Sequence, residues 1–248
     1  MLKVELHAHT DLDPADYIRH STRELIERAG TLGYGALAIT LHDRYYDPTG
    51  DRHYAQEHGI VLMAGIERSI EGRHLLLVNY PAACAEVSSF EELRLLKRRH
   101  PTGLVVAPHA FYPIPSAIGT GAARHADLID ALEVNSMYTR WVDFNQGAIA
   151  WARANGKPVV GNTDLHLLGQ LGTTYSLVDA APDPDAICAA IRAGRVEVRS
   201  TALPMLRAAW LFGLSLGLGA AGRLRRWAGR EPEASGQDGS TIRRKAKR

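Results

Sequence analysis

Short apolar runs that end in a histidine or a carboxylate recur along this chain and constrain its fold more than any other feature. LKVEL precedes His7 and His9, ALAITL precedes His42, VLMAGI precedes Glu67, LVVAP precedes His109, and VVGNT precedes Asp164 and His166. Each run is short, aliphatic and bounded by turn-forming residues, so each reads as a buried β-strand. Helical signals fill the intervals. Ser21 and Glu24 make a capping box for a helix over 22–30, and Phe90, Leu93 and Leu96 form one stripe of a helix over 88–99. Further helices are expected over 142–155 and 184–193, and further strands over 74–79, 128–135 and 195–199. Alternation of this kind predicts an α/β fold with parallel strands and helices outside. About seven strands have barrel character, and an α/β barrel gathers the C-terminal ends of its strands into one mouth.

The bulk composition agrees with a single large folded unit. The chain has 248 residues, 46% of them hydrophobic, which supports a sizeable core and argues against global disorder. Cys84 and Cys188 stand far apart without a CxxC spacing, so neither a disulfide framework nor a thiolate metal site is expected. The opening MLKVELHAH reads as a strand rather than a signal peptide, which points to a reducing, cytoplasmic setting.

The net charge of +2 is unevenly placed. Residues 223–248 carry nine Arg or Lys against three Asp or Glu, while the remaining residues carry 20 basic against 24 acidic side chains. The expected organisation is a barrel over 1–202, a helical extension over 203–230 and a disordered basic tail over 231–248. The apolar run Ala208–Gly222 is shorter than the roughly 20 residues that span a bilayer. It reads as an apolar C-terminal helix packed on the barrel, with peripheral membrane or protein contact through 203–228 as the alternative.

The strand ends carry the chemistry. In a strand, residues i and i+2 face the same side, so His7 and His9 can reach one metal, and Asp164 and His166 repeat that spacing late in the chain. Glu67, ending an apolar strand, suits a bridging carboxylate in a multi-metal site. His74 opens the next strand across the Glu71-Gly72 turn, and His109 and His42 close two others. Taken singly, each has a structural explanation of similar weight; their common position argues for one site. Imidazoles and carboxylates together suit zinc, iron or manganese. His20, His53, His58, His100 and His125 fall outside this pattern.

These motifs resemble those of the PHP superfamily, named for polymerase and histidinol phosphatase. The resemblance lies in His7-x-His9-Thr10, in Ile39-Thr40-x-His42, in Gly65-x-Glu67, in Pro108-His109 and in Gly161-x-x-Asp164-x-His166. It spans about residues 1–200 and implies a distorted seven-stranded barrel, (β/α)7, with a centre of two or three divalent ions, zinc, manganese or iron. Carried over residue by residue, it implies one ion on His7, His9, Glu67 and Asp164, and a second on Glu67, His74 and His109. A third would use His42, His166 and an early acid. Here the chain departs from the family: Pro14 occupies the usual acidic position, leaving Asp13 one place earlier, with Asp11 and His20 as further options, and Leu41 replaces the acid of the usual TDH.

The expected activity is metal-dependent phosphoesterase hydrolysis of a small phosphate monoester or nucleotide phosphate by a metal-activated water, with a nucleic-acid 3′ end as another substrate. His42 or His166 is placed to protonate the leaving group if the third metal is absent or weakly held, and Asp164 completes the catalytic set. Arg44, Arg68 and Asn135 are the substrate-binding candidates, with Arg140 and Tyr138 similar in position. Two alternatives differ in class. One is an amidohydrolase-like enzyme acting on a C–N bond, which would want a bridging lysine that neither Lys97 nor Lys157 is placed to supply. The other is a non-catalytic metal-binding barrel docked through its C-terminal helix.

Overall fold

The computed structural model describes residues 1–227. The expected tail over 231–248 and the last residues of the expected extension lie outside the described residues. In chain order the elements are β1 (Leu2–Glu5), α1 (Thr22–Thr31), β2 (Ala36–Ala38), α2 (Arg52–Glu57), β3 (Val61–Met63), β4 (Gly65–Ile70), β5 (Arg73–Val78), α3 (Phe90–Arg99), β6 (Leu104–Ala107), α4 (Gly121–Arg124), β7 (Ala131–Asn135), α5 (Asn145–Ala154), β8 (Val159–Asn162), β9 (Thr174–Val178), α6 (Pro184–Arg192), β10 (Val196–Ser200) and α7 (Met205–Trp227). Local chemistry sets the helix starts. The Ser21 hydroxyl accepts from Glu24 N, and the Glu24 carboxylate accepts from Ser21 N at 2.8 Å. Ser89 and Glu92 repeat the device at α3, and Asp183 caps α6 just ahead of Pro184.

The strands form two five-stranded sheets, ordered β10-β9-β1-β2-β3 and β4-β5-β6-β7-β8. β1, β2 and β3 are parallel, as are β6, β7 and β8, whereas β9 runs antiparallel to both β1 and β10, and β5 runs antiparallel to both β4 and β6. This corrects the expectation of seven barrel strands, for two physical reasons. The run over 60–66 is not one strand: it breaks at Ala64, so β3 closes the first sheet and β4 opens the second. β9 was not expected at all, because Thr174 and Ser176 give it a polar appearance. Both are nevertheless buried, and the Ser176 hydroxyl accepts from Gly161 N at 2.9 Å on β8.

Side-chain alternation separates three apolar layers. Val4, Ala36, Met63, Leu76, Val78, Val106, Ala131 and Val160 pack together between the sheets. Leu75, Leu77, Val105 and Leu132 point the other way, toward Leu93 and Leu96 of α3 and Ala148 of α5. Leu37 and Ile39 pack against Leu25 and Ile26 of α1. Cys84 and Cys188 are buried free thiols in different layers, and burial pushes each up to about 12.

The C-terminal extension forms α7, but the expectation of an apolar helix packed on the barrel is corrected, because most of its described large apolar side chains stay exposed. Leu211 is buried, whereas Met205, Leu206, Trp210, Phe212, Leu224 and Trp227 are exposed, and Arg207 bonds to the Gly169 carbonyl at 2.8 Å. Among the described residues, no helix is long and apolar enough to cross a membrane.

Candidate metal centre

Two isolated β-bridges bring the motif residues together. Ala8 pairs in parallel with Leu165, His9 N donating to Leu165 O and Leu165 N to His7 O, both at 3.0 Å. The residues flanking one bridge partner are therefore His7 and His9, and those flanking the other are Asp164 and His166. His42 pairs in parallel with Glu67, where Glu67 N donates to Leu41 O at 3.0 Å and Asp43 N to Glu67 O at 2.9 Å. Gly65 permits that second approach: a Cβ there would lie 2.7 Å from Ile39 O and 2.8 Å from Thr40 Cγ2. The close crossing of β4 over the end of β2 thus explains the glycine two residues before Glu67.

The Glu67 carboxylate sits at the centre and is 1% exposed. Its Oε2 lies 3.2 Å from His7 Nε2, 3.2 Å from His42 Nε2 and 3.4 Å from His9 Nε2. Its Oε1 lies 2.7 Å from His74 Nδ1 and 3.2 Å from His109 Nε2. Asp164 Oδ1 completes this half at 3.3 Å from His7 Nε2 and 3.6 Å from His9 Nε2. Asp164 and His109 have φ of 52° and 34°, left-handed backbone that costs on the order of 1–3 kcal/mol each and tends to persist at functional sites. Asp164 is thus aimed by a turn rather than by strand alternation.

A second half lies around Asp13. Its Oδ2 is 2.8 Å from His9 Nδ1 and 3.0 Å from His42 Nδ1, and it accepts from His42 N at 3.0 Å. Its Oδ1 accepts from Ala15 N at 2.8 Å and Asp16 N at 2.9 Å. Asp16 Oδ2 in turn lies 2.9 Å from His166 Nε2, while His166 Nδ1 lies 3.0 Å from Asp164 O. The His9 ring stacks on His42 at 4.4 Å between centroids and lies 4.6 Å from His166. The structure therefore brings His7, His9, Asp13, His42, Glu67, His74, His109, Asp164 and His166 into one cluster.

Mutual polarisation dominates the electrostatics. Burial disfavours charge on His7 and His9. The facing carboxylates outweigh it, Asp164, Glu133 and Glu67 for His7 and Asp13, Asp164 and Glu67 for His9, and hold both imidazoles well above the ordinary histidine range. Burial alone would raise Glu67 and Asp164, yet the surrounding histidines hold both well below the ordinary carboxylate range. Asp13 is lowered in the same way by His42 and His9 against the effect of burial.

The donor set suits divalent cations. His9 Nε2 is buried without a hydrogen-bond partner and faces two carboxylate oxygens, as a ligating nitrogen would. Three overlapping triads present ligand atoms within 4.8 Å of one another: His7, His9 and Asp164; His9, Asp13 and His42; and His42, Glu67 and His74.

Three carboxylates at the cluster escaped the sequence reading. Glu133, on β7, is fully buried; its Oε1 lies 3.0 Å from His7 Nδ1 and its Oε2 accepts from His109 N at 2.8 Å. Glu5, also fully buried, accepts from His7 N at 3.0 Å and from the Thr163 hydroxyl at 2.7 Å, tying β1 to the end of β8; burial raises it to about 8. The available signal was a lone glutamate inside an apolar strand, in LKVEL and in ALEVN. Asp16 carried no such signal.

The proposed substrate contacts are less free than the ligand candidates. Asn135 is buried, donating to Asp164 Oδ2 at 3.3 Å and accepting from Met137 N at 2.9 Å, so it orients Asp164. Arg44 donates to the Leu12 carbonyl at 3.0 Å. Arg68 donates to Asp43 Oδ1 at 2.8 Å and to the Val87 carbonyl at 2.6 Å. Arg140 is exposed, its guanidinium 5.3 Å from the Trp141 ring centroid.

The same arrangement of elements occurs in known proteins. Residues 143–196, which include Asp164 and His166, match the PHP-associated family model. No curated protein matches the chain. A two-domain protein from Bacteroides vulgatus ATCC 8482, containing a predicted PHP-like metal-dependent phosphoesterase, superposes with TM-score 0.60 at 16% identity over 80% of this chain. The chain spans 64% of that protein's length, less than two thirds. PsfC from Pseudomonas syringae PB-5123 superposes with TM-score 0.60 at 17% identity, covering 89% of this chain and 99% of PsfC. The lesion-specific endonuclease PfuEndoQ from Pyrococcus furiosus gives TM-score 0.53 at 15% identity, covering 85% of this chain and 66% of that one. At such identities the likeness is one of fold. The resemblance to the PHP superfamily is thus met in sequence over residues 143–196 and in fold over most of the chain.

Proposed function

We propose that this chain, with its PHP fold, is a metal-dependent phosphoesterase acting on a small phosphate monoester or a nucleotide phosphate. One observation carries the reading: the two oxygens of the buried Glu67 carboxylate face imidazoles from five positions, His7, His9, His42, His74 and His109. A carboxylate so placed is suited to bridging cations. The two sheets, linked by the Ala8–Leu165 and His42–Glu67 bridges, are read as halves of a distorted barrel whose mouth is this cluster.

Two or three divalent ions, zinc, manganese or iron, fit the donors. His7, His9, Glu67 and Asp164 would hold one, Glu67, His74 and His109 a second, and His42 and His166 with Asp13 a third. When bound, such ions supply Lewis acidity toward phosphate oxygens and an acidified water.

The chain's own groups do the rest. Glu133 holds His7 by Nδ1 and leaves Nε2 directed at the centre. Asn135 steadies the Asp164 carboxylate, whose side chain is 23% exposed and thus within reach of substrate. His166 Nε2 lies against Asp16 Oδ2, and the Asp16 and Asp164 carboxylates raise this imidazole above its ordinary range against burial and the repulsion of His9. With two ions bound and the third position empty, it is a group positioned to give a proton to a departing oxygen. His42 is the other candidate; Asp13 and Glu67 engage its two ring nitrogens as Asp16 and the Asp164 carbonyl engage those of His166.

A nucleic-acid 3′ end is the second substrate reading, and the fold shared with a lesion-specific endonuclease supports nucleic acid as a substrate class without singling out a strand end. The test is hydrolysis of p-nitrophenyl phosphate with added manganese, run beside dihydroorotate-type amides and a short oligonucleotide. Chelator-sensitive phosphate-ester cleavage that disappears in Asp164→Ala is expected. Amide hydrolysis without ester cleavage would replace this reading with an amidohydrolase-like one, and neither activity in metal-loaded protein would leave a non-catalytic metal-binding barrel.

A further inference from the structure

We infer that α7 belongs to the metal centre: Gly222 presses its backbone against the 13–16 loop and so holds Asp16 against His166. The inference rests on the metal-centre reading and assigns two positions beyond it, Asp16 and Gly222.

The loop has no regular element of its own. Residues 13–16 lie between β1 and α1 outside any helix or strand. Their shape is set from within by Asp13, whose Oδ1 accepts from Ala15 N and Asp16 N while its Oδ2 serves His9 and His42. The far end of the loop delivers Asp16 Oδ2 to His166 Nε2 at 2.9 Å. That contact places Asp16 beside the third group of candidate ligands, where Pro14 stands at the position that the family resemblance would make acidic.

The helix supplies a support. Gly222 is buried, and a Cβ on it would lie 2.0 Å from Ala15 O, 2.9 Å from Ala15 C and 3.0 Å from Asp16 Cα. All three are backbone atoms, so no side-chain rotation can relieve the overlap; helix or loop must move. The demand is local to this position, because a Cβ at Gly213 or Gly217 of the same helix would meet nothing within 4 Å. The start of the helix is fixed to two other loops near the cluster. Leu203 N donates to Tyr138 O at 2.9 Å, after β7, and Arg207 Nη2 donates to Gly169 O at 2.8 Å, after His166. With Leu211 buried between these contacts and Gly222, α7 runs as a strut from the loops after β7 and β8 to the loop that carries Asp13 and Asp16. Asp16 is a positioning residue for His166, and Gly222 positions Asp16.

The test is manganese binding to the full chain, measured by equilibrium dialysis with elemental analysis, for wild type, Gly222→Ala, Asp16→Asn, the double variant and Gly217→Ala. Each single change at 222 or 16 should weaken the weakest manganese site about 10–100-fold, the range for groups that orient ligands. The double variant should lose no more than the worse single one, because both act through one contact. Gly217→Ala should match wild type. Wild-type binding in Gly222→Ala, or fully additive losses, would overturn the inference while leaving the metal centre standing. Wild type that takes up no divalent metal would end both. Should Gly222→Ala fail to fold, amide exchange in wild type decides: manganese should slow exchange around Gly222 as well as over 13–16, and an α7 indifferent to manganese would overturn the coupling.

Discussion

The two halves of the cluster are built differently. Around Glu67, the ligand candidates sit at strand ends or on the two β-bridges, and the rings are held from behind by buried groups such as Glu133. Around Asp13 and Asp16, the carboxylates sit on an irregular loop whose shape depends on its own side chains and on a helix from the other end of the chain. A strand end transmits the rigidity of a sheet to whatever it carries; a loop must borrow rigidity from neighbours. The Glu67 half is therefore the preorganised one, and the Asp13 half is the one that substitutions at a distance can loosen.

The largest expected effect comes from Glu67→Ala, which removes the group shared by both halves. Loss of about 4 kcal/mol or more of stabilisation, roughly a thousandfold or greater in kcat/KM for p-nitrophenyl phosphate, is the expected outcome. Retained activity would mean that the halves do not share a centre.

Next come the paired changes Glu133→Gln and Asp13→Asn, one for each half. Each should cost about 10–100-fold in metal affinity. Metal titrations on the two variants should show different sites weakened, Glu133→Gln acting on the His7 site and Asp13→Asn on the His42 site. Identical titration curves would erase the distinction between halves.

Glu5→Leu addresses the frame beneath the first half. It leaves the Thr163 and His7 backbone N–H groups without their acceptor, and a loss of about 1–3 kcal/mol in urea unfolding is expected. Because the folded pKa of Glu5 is raised to about 8, the neutral acid is the form favoured by the fold. Its stabilising contribution is present below the unfolded carboxylate pKa and declines as pH rises from there through about 8. The gap between wild type and Glu5→Leu should therefore narrow between pH 5 and pH 8, and a widening gap would contradict the assignment.

The smallest effect is expected at Arg68, whose guanidinium is already committed to Asp43 and Val87. Arg68→Ala should change KM by no more than about twofold, within the surface-substitution range of roughly 0.5 kcal/mol. A much larger rise in KM would restore it as a substrate contact.

What could be read from the sequence follows the same division. The residues just past strand ends, His7, His9 and His109 among them, were visible because an apolar run announces a strand and its end announces a direction, whereas Glu67, expected at a strand end, lies within β4. Gly65 belonged to a recognisable motif, and the crossing over Ile39 gives its physical cause. Asp16 was not visible, because its contact with His166 spans 150 positions and depends on the turn made by Asp13. Glu133 and Glu5 were passed over as parts of strands, since a periodic pattern shows where a side chain points and not what awaits it. The sheet count failed where short strands obey no simple pattern: Ala64 divides one apolar run between two sheets, and β9 hides a buried face behind threonine and serine.

The central claim is that the buried Glu67 carboxylate links imidazoles from both sheets into one multi-cation centre. Elemental analysis of wild type and Glu67→Gln after dialysis against a mixture of zinc, manganese and iron tests it most directly. About two to three ions per wild-type chain, falling to one or none in Glu67→Gln, is the predicted result. Wild type that stays metal-free after loading, or a variant that keeps the full complement, would contradict it.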